Sequence, residues 1–151
     1  CLDLPKQMRE IFKNVKSILC NMEQYRNAAG CVVFDEDKVL LLRRSKLETS
    51  KHGLYELPGG KQEDNENPMD TARTETEEES GLVVKVIKKL DPHIDHNMKK
   101  IYHGFTAIIE GENNVQLSEE HDEYKWMTIR EALSMSEPLS HHAEYLFKQI
   151  V

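Results

Sequence analysis

Three glutamates, Glu75, Glu78 and Glu79, crowd together just after two more, Glu63 and Glu66, and carboxylates at this density point first to divalent-metal chemistry. In a helix advancing about 100° per residue, the three fall within an arc of about 100° and converge on one patch, while Glu77 points away into solvent. Like charges at these spacings repel, and the C-terminal half of a helix is the unfavourable end for anions. A local rule broken in this way often marks a functional site. A divalent cation removes the conflict: Mg2+ takes oxygen ligands and completes its shell with water and substrate phosphate. For the helix alone, an ordinary solvated acidic face is the competing explanation. The preceding loop weighs against it, because Gly59 and Gly60 let the backbone turn sharply or approach a ligand and Lys61 brings a cation for phosphate. The whole pattern suits metal-assisted chemistry on a phosphate chain.

The acidic stretch reads as a helix over 68–80, with Asn67 as N-cap, Pro68 in the first turn and Gly81 as the residue that stops it. Met69, Ala72 and Thr76 form a narrow face expected to pack on a sheet. Apolar runs at 31–34 and 39–42 flank the polar turn Asp35, Glu36, Asp37 and read as a hairpin ending in Arg43 and Arg44. Residues 57–67 read as broken structure and loop, 83–90, 101–109 and 124–127 as strands, and 115–117 as a short strand or loop. A His- and Lys-bearing loop separates the strands 83–90 and 101–109. Thr128 with Glu131 makes a capping box for a helix reaching about 135, and a last helix covers 141–150. Strands and helices mix without a βαβ rhythm, so an α+β sandwich is favoured over a doubly wound sheet. Tyr55, Tyr102, Phe105 and Trp126 are better assigned to the core than to base stacking.

At 151 residues, 38% hydrophobic and 31% charged, the chain suits one compact domain. Its net charge of −7 sits wholly between Glu56 and Ser80, where nine acids meet two bases, and the remainder is balanced. That distribution argues against a nucleic-acid polymer as partner, since phosphate neutralisation needs a positive face. No apolar run has the length of a membrane span, and the first residues lack the pattern of a secretory leader. Three cysteines, Cys1, Cys20 and Cys31, without a Cys-x-x-Cys pair suit a reducing, cytoplasmic setting rather than a disulfide framework. His52, His93, His96, His103, His121, His141 and His142 lack zinc spacing and read as surface or supporting residues. Residues 4–19 place Leu4, Met8, Ile11, Phe12, Val15, Ile18 and Leu19 on one face of a helix with a basic outer face. Such a helix is expected to pack on the domain or on a second subunit, as in a homodimer, rather than on a membrane.

From Gly60 to Leu82 the sequence resembles the Nudix box, Gly-x5-Glu-x7-Arg-Glu-U-x-Glu-Glu-x-Gly-U, with U a bulky apolar residue. Gly60, Glu66, Glu75, Glu78, Glu79, Gly81 and Leu82 occupy the required positions. The lead-in Leu57-Pro58-Gly59-Gly60-Lys61, the hairpin ending in Arg43 and Arg44, and Tyr124-Lys125-Trp126-Met127 are similar to the family as well. Two positions depart from it. Thr76 replaces an apolar residue, a mild change because its methyl still faces the core and its hydroxyl can bond the i−4 carbonyl. Thr74 replaces the Arg that in the family pairs with the first box glutamate, here Glu66, and Arg73 lies about 100° around the helix from that position. Asn65 stands where glycine is common and tolerates a left-handed backbone.

The resemblance implies an α/β/α sandwich with a mixed sheet over 25–151, with the helix of 1–24 as an extension. It implies Mg2+-dependent hydrolysis of the diphosphate bond in a nucleoside diphosphate linked to another group, with Mn2+ as a substitute ion. The substrate would be a small nucleotide, a modified nucleoside triphosphate first among the classes. Carried over residue by residue, Glu75, Glu78 and Glu79 are metal ligands and the Gly59 carbonyl is a further one. Glu78 and Glu79 are also candidates for the general base. Glu120 matches the loop glutamate that serves as ligand or base, with Glu119, His121 and Glu123 as neighbours able to replace it. Arg43, Arg44 and Lys61 are candidates for gripping phosphates, one of the two arginines pointing outward by strand alternation. ADP-ribose and dinucleoside polyphosphates are alternative substrates, and a nucleotide-sensing module of weak activity is the alternative function.

Overall fold

The alternation of side chains along two adjacent strands divides the interior into two cores. The computed structural model describes residues 5–22, 24–46, 48 and 50–151, so Cys1 and Leu4 lie outside the described residues. In β1 (Arg26–Asp35) and β2 (Lys38–Arg44), Ala28, Val32, Val39 and Leu41 face one core while Ala29, Cys31, Val33, Leu40 and Leu42 face the other. Because both faces of these strands are buried, their sequence is apolar without interruption instead of alternating.

Six more strands complete one mixed sheet: β3 (Tyr55–Glu56), β4 (Gly59–Lys61), β5 (Val84–Lys89), β6 (His93–Asp95), β7 (Lys100–Ile109) and β8 (His121–Met127). The main path runs β3, β2, β1, β7, β5, with β4 on β1, β6 on β7 and β8 on β2. Among these described strands only the β1/β7 pair is parallel, from Arg26 opposite Lys100 to Phe34 opposite Ile108. The helix α2 (Pro68–Ser80) covers one face, and α3 (Ile129–Ser134) with α4 (His141–Ile150) closes the other, Leu146 and Phe147 being fully buried. The architecture is the expected sandwich of helix, mixed sheet and helices.

The capping residues behave as their chemistry dictates. Asn67 accepts from the Asp70 amide at 2.9 Å, Gly81 adopts φ 76° at the end of α2, and Thr128 and Glu131 form the reciprocal capping box. Several boundaries move. β1 begins at Arg26, five residues before the apolar run, because pairing with β7 continues past it. β3 and β4 fall within or beside the segment read as loop, and β6 in the loop between β5 and β7; all three are too short for periodicity to reveal. The last strand reaches back to His121. Residues 115–117 carry no regular structure.

Two packing expectations are corrected. Ala72 and Thr76 are buried as expected, but Met69 is 41% exposed, and the buried face of α2 is completed by Thr71, Glu79 and Ser80. The first helix, α1 (Lys6–Met22), buries none of its residues, so Met8, Ile11, Phe12, Val15, Ile18 and Leu19 form an exposed stripe rather than packing on the domain.

Gly30 and Gly59 face each other where β4 lies on β1. A Cβ on Gly30 would collide with the Tyr102 hydroxyl and come within 2.6 Å of the Pro58 carbonyl, so this junction closes only without side chains. Gly30→Ala should therefore lower stability by about 1–3 kcal/mol in urea denaturation; an unchanged midpoint would show that the junction yields.

Candidate active site

The C-terminal turns of α2, the β4 strand and the segment leading into β8 meet around one buried carboxylate. Glu79 is 4% exposed. Its Oε1 accepts the Gly59 amide at 3.3 Å. Glu75 lies one turn earlier, its carboxylate against Gly60 so closely that a Cβ there would sit 2.7 Å from the Glu75 Cδ. The glycine pair therefore does two things: Gly59 presents an amide to Glu79, and Gly60 leaves room for Glu75.

Glu120 is brought to the same place by its backbone. The Ser118 amide donates to the Glu79 carbonyl at 3.2 Å and the Gln116 amide to the Ser80 carbonyl at 2.8 Å, fastening the incoming segment to the end of α2. On its other side the Ser45 amide donates to the Glu120 carbonyl at 2.9 Å, and the Ser45 hydroxyl donates to that of Glu119. Gly59, Gly60, Glu79 and Glu120 then line a cavity of about 210 Å3 together with Arg44, Glu56, Lys100 and His142.

The electrostatics are those of carboxylates forced together. Burial, and then the charge of Glu120, push the Glu79 acid up to about 9, against which the Gly59 amide acts weakly. Glu75 is also raised, by burial first and then by Glu78, Glu120, Glu66 and Glu63. One oxygen of Glu79, one of Glu120 and one ring nitrogen of His121 lie within 4.8 Å of one another, a donor set with the spacing to hold a cation.

The sequence candidates divide. Arg44 lines the cavity, bridged to Glu48 at 3.0 Å and Glu56 at 3.2 Å, whereas Arg43 is engaged outside it by Asp122 at 2.7 Å and Glu123 at 2.9 Å. Lys61 is exposed at the end of β4 and does not line the cavity. Glu78 is exposed beside Glu75.

Glu66 accepts the Glu63 amide at 3.0 Å, and its own carbonyl is taken by Gln62 at 2.6 Å, so the loop before α2 is braced from within. Arg73 makes no ion pair among the described residues. Asn65 adopts φ 69°, and the Thr76 hydroxyl donates to the Ala72 carbonyl at 2.7 Å, as those substitutions require.

The sequence reading gives Glu56 and Lys100 no place in the site and takes His142 only as a surface or supporting residue, yet all three line the cavity. Glu56 lies in a two-residue strand with no periodicity, and Lys100 and His142 reach the cavity only through pairing of β7 and docking of α4.

A family model described as NUDIX domain matches residues 24–150. A MutT protein from Methanosarcina mazei Go1 superposes with a TM-score of 0.70 at 26% identity, covering 83% of this chain and 91% of that one. An Ap4A hydrolase from C. elegans gives a TM-score of 0.65 at 22% identity, over 82% of this chain and 94% of that one, a likeness of fold. Among curated proteins, an octanoyltransferase from Myxococcus xanthus is 28% identical over 109 residues, and the chain spans 28% of that relative's length.

The raised Glu79 acid has a measurable consequence. Folded, Glu79 keeps its proton to about pH 9; unfolded, it releases it near the ordinary 4.5. Between these values the unfolded chain binds fewer protons, so stability falls as pH rises through the window. Urea denaturation in a metal chelator should show this decline between about pH 5 and 9, and Glu79→Gln should flatten it and raise the melting temperature of the metal-free protein.

Proposed function

The chain belongs to the Nudix family, and from that premise we propose that it is a metal-dependent pyrophosphohydrolase cleaving the diphosphate bond of a nucleoside diphosphate linked to another group. The observation that carries this reading is the buried Glu79 with Glu75 and Glu120 crowded about it, an arrangement stabilised by a cation and destabilised without one. Glu75, Glu78, Glu79, the Gly59 carbonyl and Glu120 are the residues that would hold Mg2+, with Mn2+ as a substitute. When bound, such an ion lowers the pKa of a coordinated water and offsets phosphate charge.

The chain's own groups supply the remainder. Glu120, Glu78 or Glu79 accepts the proton of the attacking water. Arg44 on the cavity wall is better placed than Arg43 or Lys61 to hold a phosphate, and Lys100 joins it there. The substrate is a small nucleotide, a modified nucleoside triphosphate being the first class to test. A reducing cytoplasm suits the free cysteines among the described residues, Cys20 exposed and Cys31 buried.

A nucleotide-sensing module is the second reading, motivated by Thr74. The self-braced loop weakens that motive, because Glu66 has partners without the missing Arg.

A hydrolysis screen over modified nucleoside triphosphates, ADP-ribose, dinucleoside polyphosphates and nucleotide sugars, with products identified by mass, tests both readings. Turnover should need a divalent ion and fall by about 10²–10⁴-fold in Glu79→Gln, while Thr74→Arg leaves kcat unaltered. Ligands that raise the melting temperature yet are never consumed, together with rate gained in Thr74→Arg, would establish the sensing module instead.

A further inference from the structure

His121 is an imidazole with a 1% exposed side chain held between two carboxylates, Nε2 lying 2.9 Å from Glu56 and Nδ1 lying 3.8 Å from Glu79. Glu56 is paired with Arg44 at 3.2 Å on the same oxygen that meets His121, so that oxygen already accepts from a guanidinium, which can only donate. Nε2 must then carry the hydrogen and donate. In the neutral ring this leaves Nδ1 with a bare lone pair. That atom is buried and has no hydrogen-bond partner. At 3.8 Å it is also too far from Glu79 for a hydrogen bond between them. A buried ring nitrogen turned toward a buried carboxyl group that it does not reach goes without a partner, and a cation held between the two supplies one.

The dimensions agree. Two ligand atoms each about 2.1 Å from one ion lie no more than about 4.2 Å apart, and the Nδ1 to Glu79 separation of 3.8 Å falls inside that limit. The carboxylate of Glu120, within 4.8 Å of both, belongs to an exposed side chain that can close the difference by a rotamer change. Glu56 completes the form usual for a metal-bound histidine, whose second ring nitrogen donates to a carboxylate that fixes both tautomer and ring orientation. Nitrogen also alters which ion is preferred. Mg2+ favours oxygen throughout, whereas imidazole raises affinity along the first-row series.

We propose that His121 Nδ1 is a metal ligand beside Glu79 and Glu120, and that this mixed nitrogen and oxygen set prefers Mn2+, Co2+ or Zn2+ over Mg2+. The proposal rests on the reading that the Glu79 site holds a divalent ion, and it reassigns that ion's identity. Arg44 and Glu56 act as positioning residues for the imidazole.

The test is pulsed electron paramagnetic resonance of the full chain, without a histidine tag, loaded with Mn2+ and prepared with either natural-abundance or 15N-labelled histidine. A coupling from a directly bound imidazole nitrogen should appear, persist in His142→Gln and vanish in His121→Gln. By calorimetry, the ratio of Mn2+ to Mg2+ affinity should fall at least about tenfold in His121→Gln, and Glu56→Gln should weaken Mn2+ binding about 10–100-fold. Bound Mn2+ without nitrogen coupling in the unaltered protein overturns the proposal, as does a coupling that survives His121→Gln; either leaves metal-dependent hydrolysis standing. Absence of hydrolysis with every ion, alongside a His121-dependent coupling, would instead overturn the proposed reaction and keep the ligand. The spectrum of the unaltered protein decides against the ligand even where a variant fails to fold.

Discussion

A carboxylate taken out of water has to be answered by its surroundings, and much of the site is the answer to Glu79. The Gly59 amide is aimed at one of its oxygens, and Tyr102 packs beneath the glycine junction that holds β4 to β1. The same absence of side chains that lets β4 lie flat admits Glu75 against Gly60. Glycine is needed there for close approach, since neither residue has a positive φ.

The unfavourable end of the helix macrodipole is also dealt with locally. Backbone amides of Gly81, Gln116 and Ser118 donate to the carbonyls of Glu77, Ser80 and Glu79. Carbonyls that would otherwise face the clustered glutamates are thus partly occupied by donors. These bonds also fix the register of the segment that delivers Glu120. A structural need of the helix terminus and a geometric need of the site are met by one set of interactions.

What could be read from the chain follows the range of the interactions involved. Helix caps, the hairpin and the convergence of Glu75 and Glu79 depend on neighbours a few residues apart, and local chemistry determines them. Strand alternation predicts that Arg43 and Arg44 diverge but not which one faces the cavity, because pairing with β8 and its bulge decide that. Glu56 and His121 meet only when β3 and β8 pair with β2 on either side, so no spacing in the sequence announces them. Met69 was misplaced because angular position on a helix shows neighbours on its surface and not which arc the sheet will cover. For α1 the amphipathic pattern is legible, yet its apolar stripe is exposed in the described structure.

The parallel pairing of β1 with β7 also governs how the protein is made. β1 and β2 leave the ribosome as an apolar hairpin buried on neither face, and the strand that completes β1 follows only after α2 and β5. Contacts this distant along the chain are slow to close and leave strand edges open to wrong partners meanwhile. The carboxylate cluster lies on the connection that this closure draws tight. An unfinished chain therefore has the acidic helix before it has the cavity, and the site comes into being late, with the arrival of β7, β8 and the helices behind them.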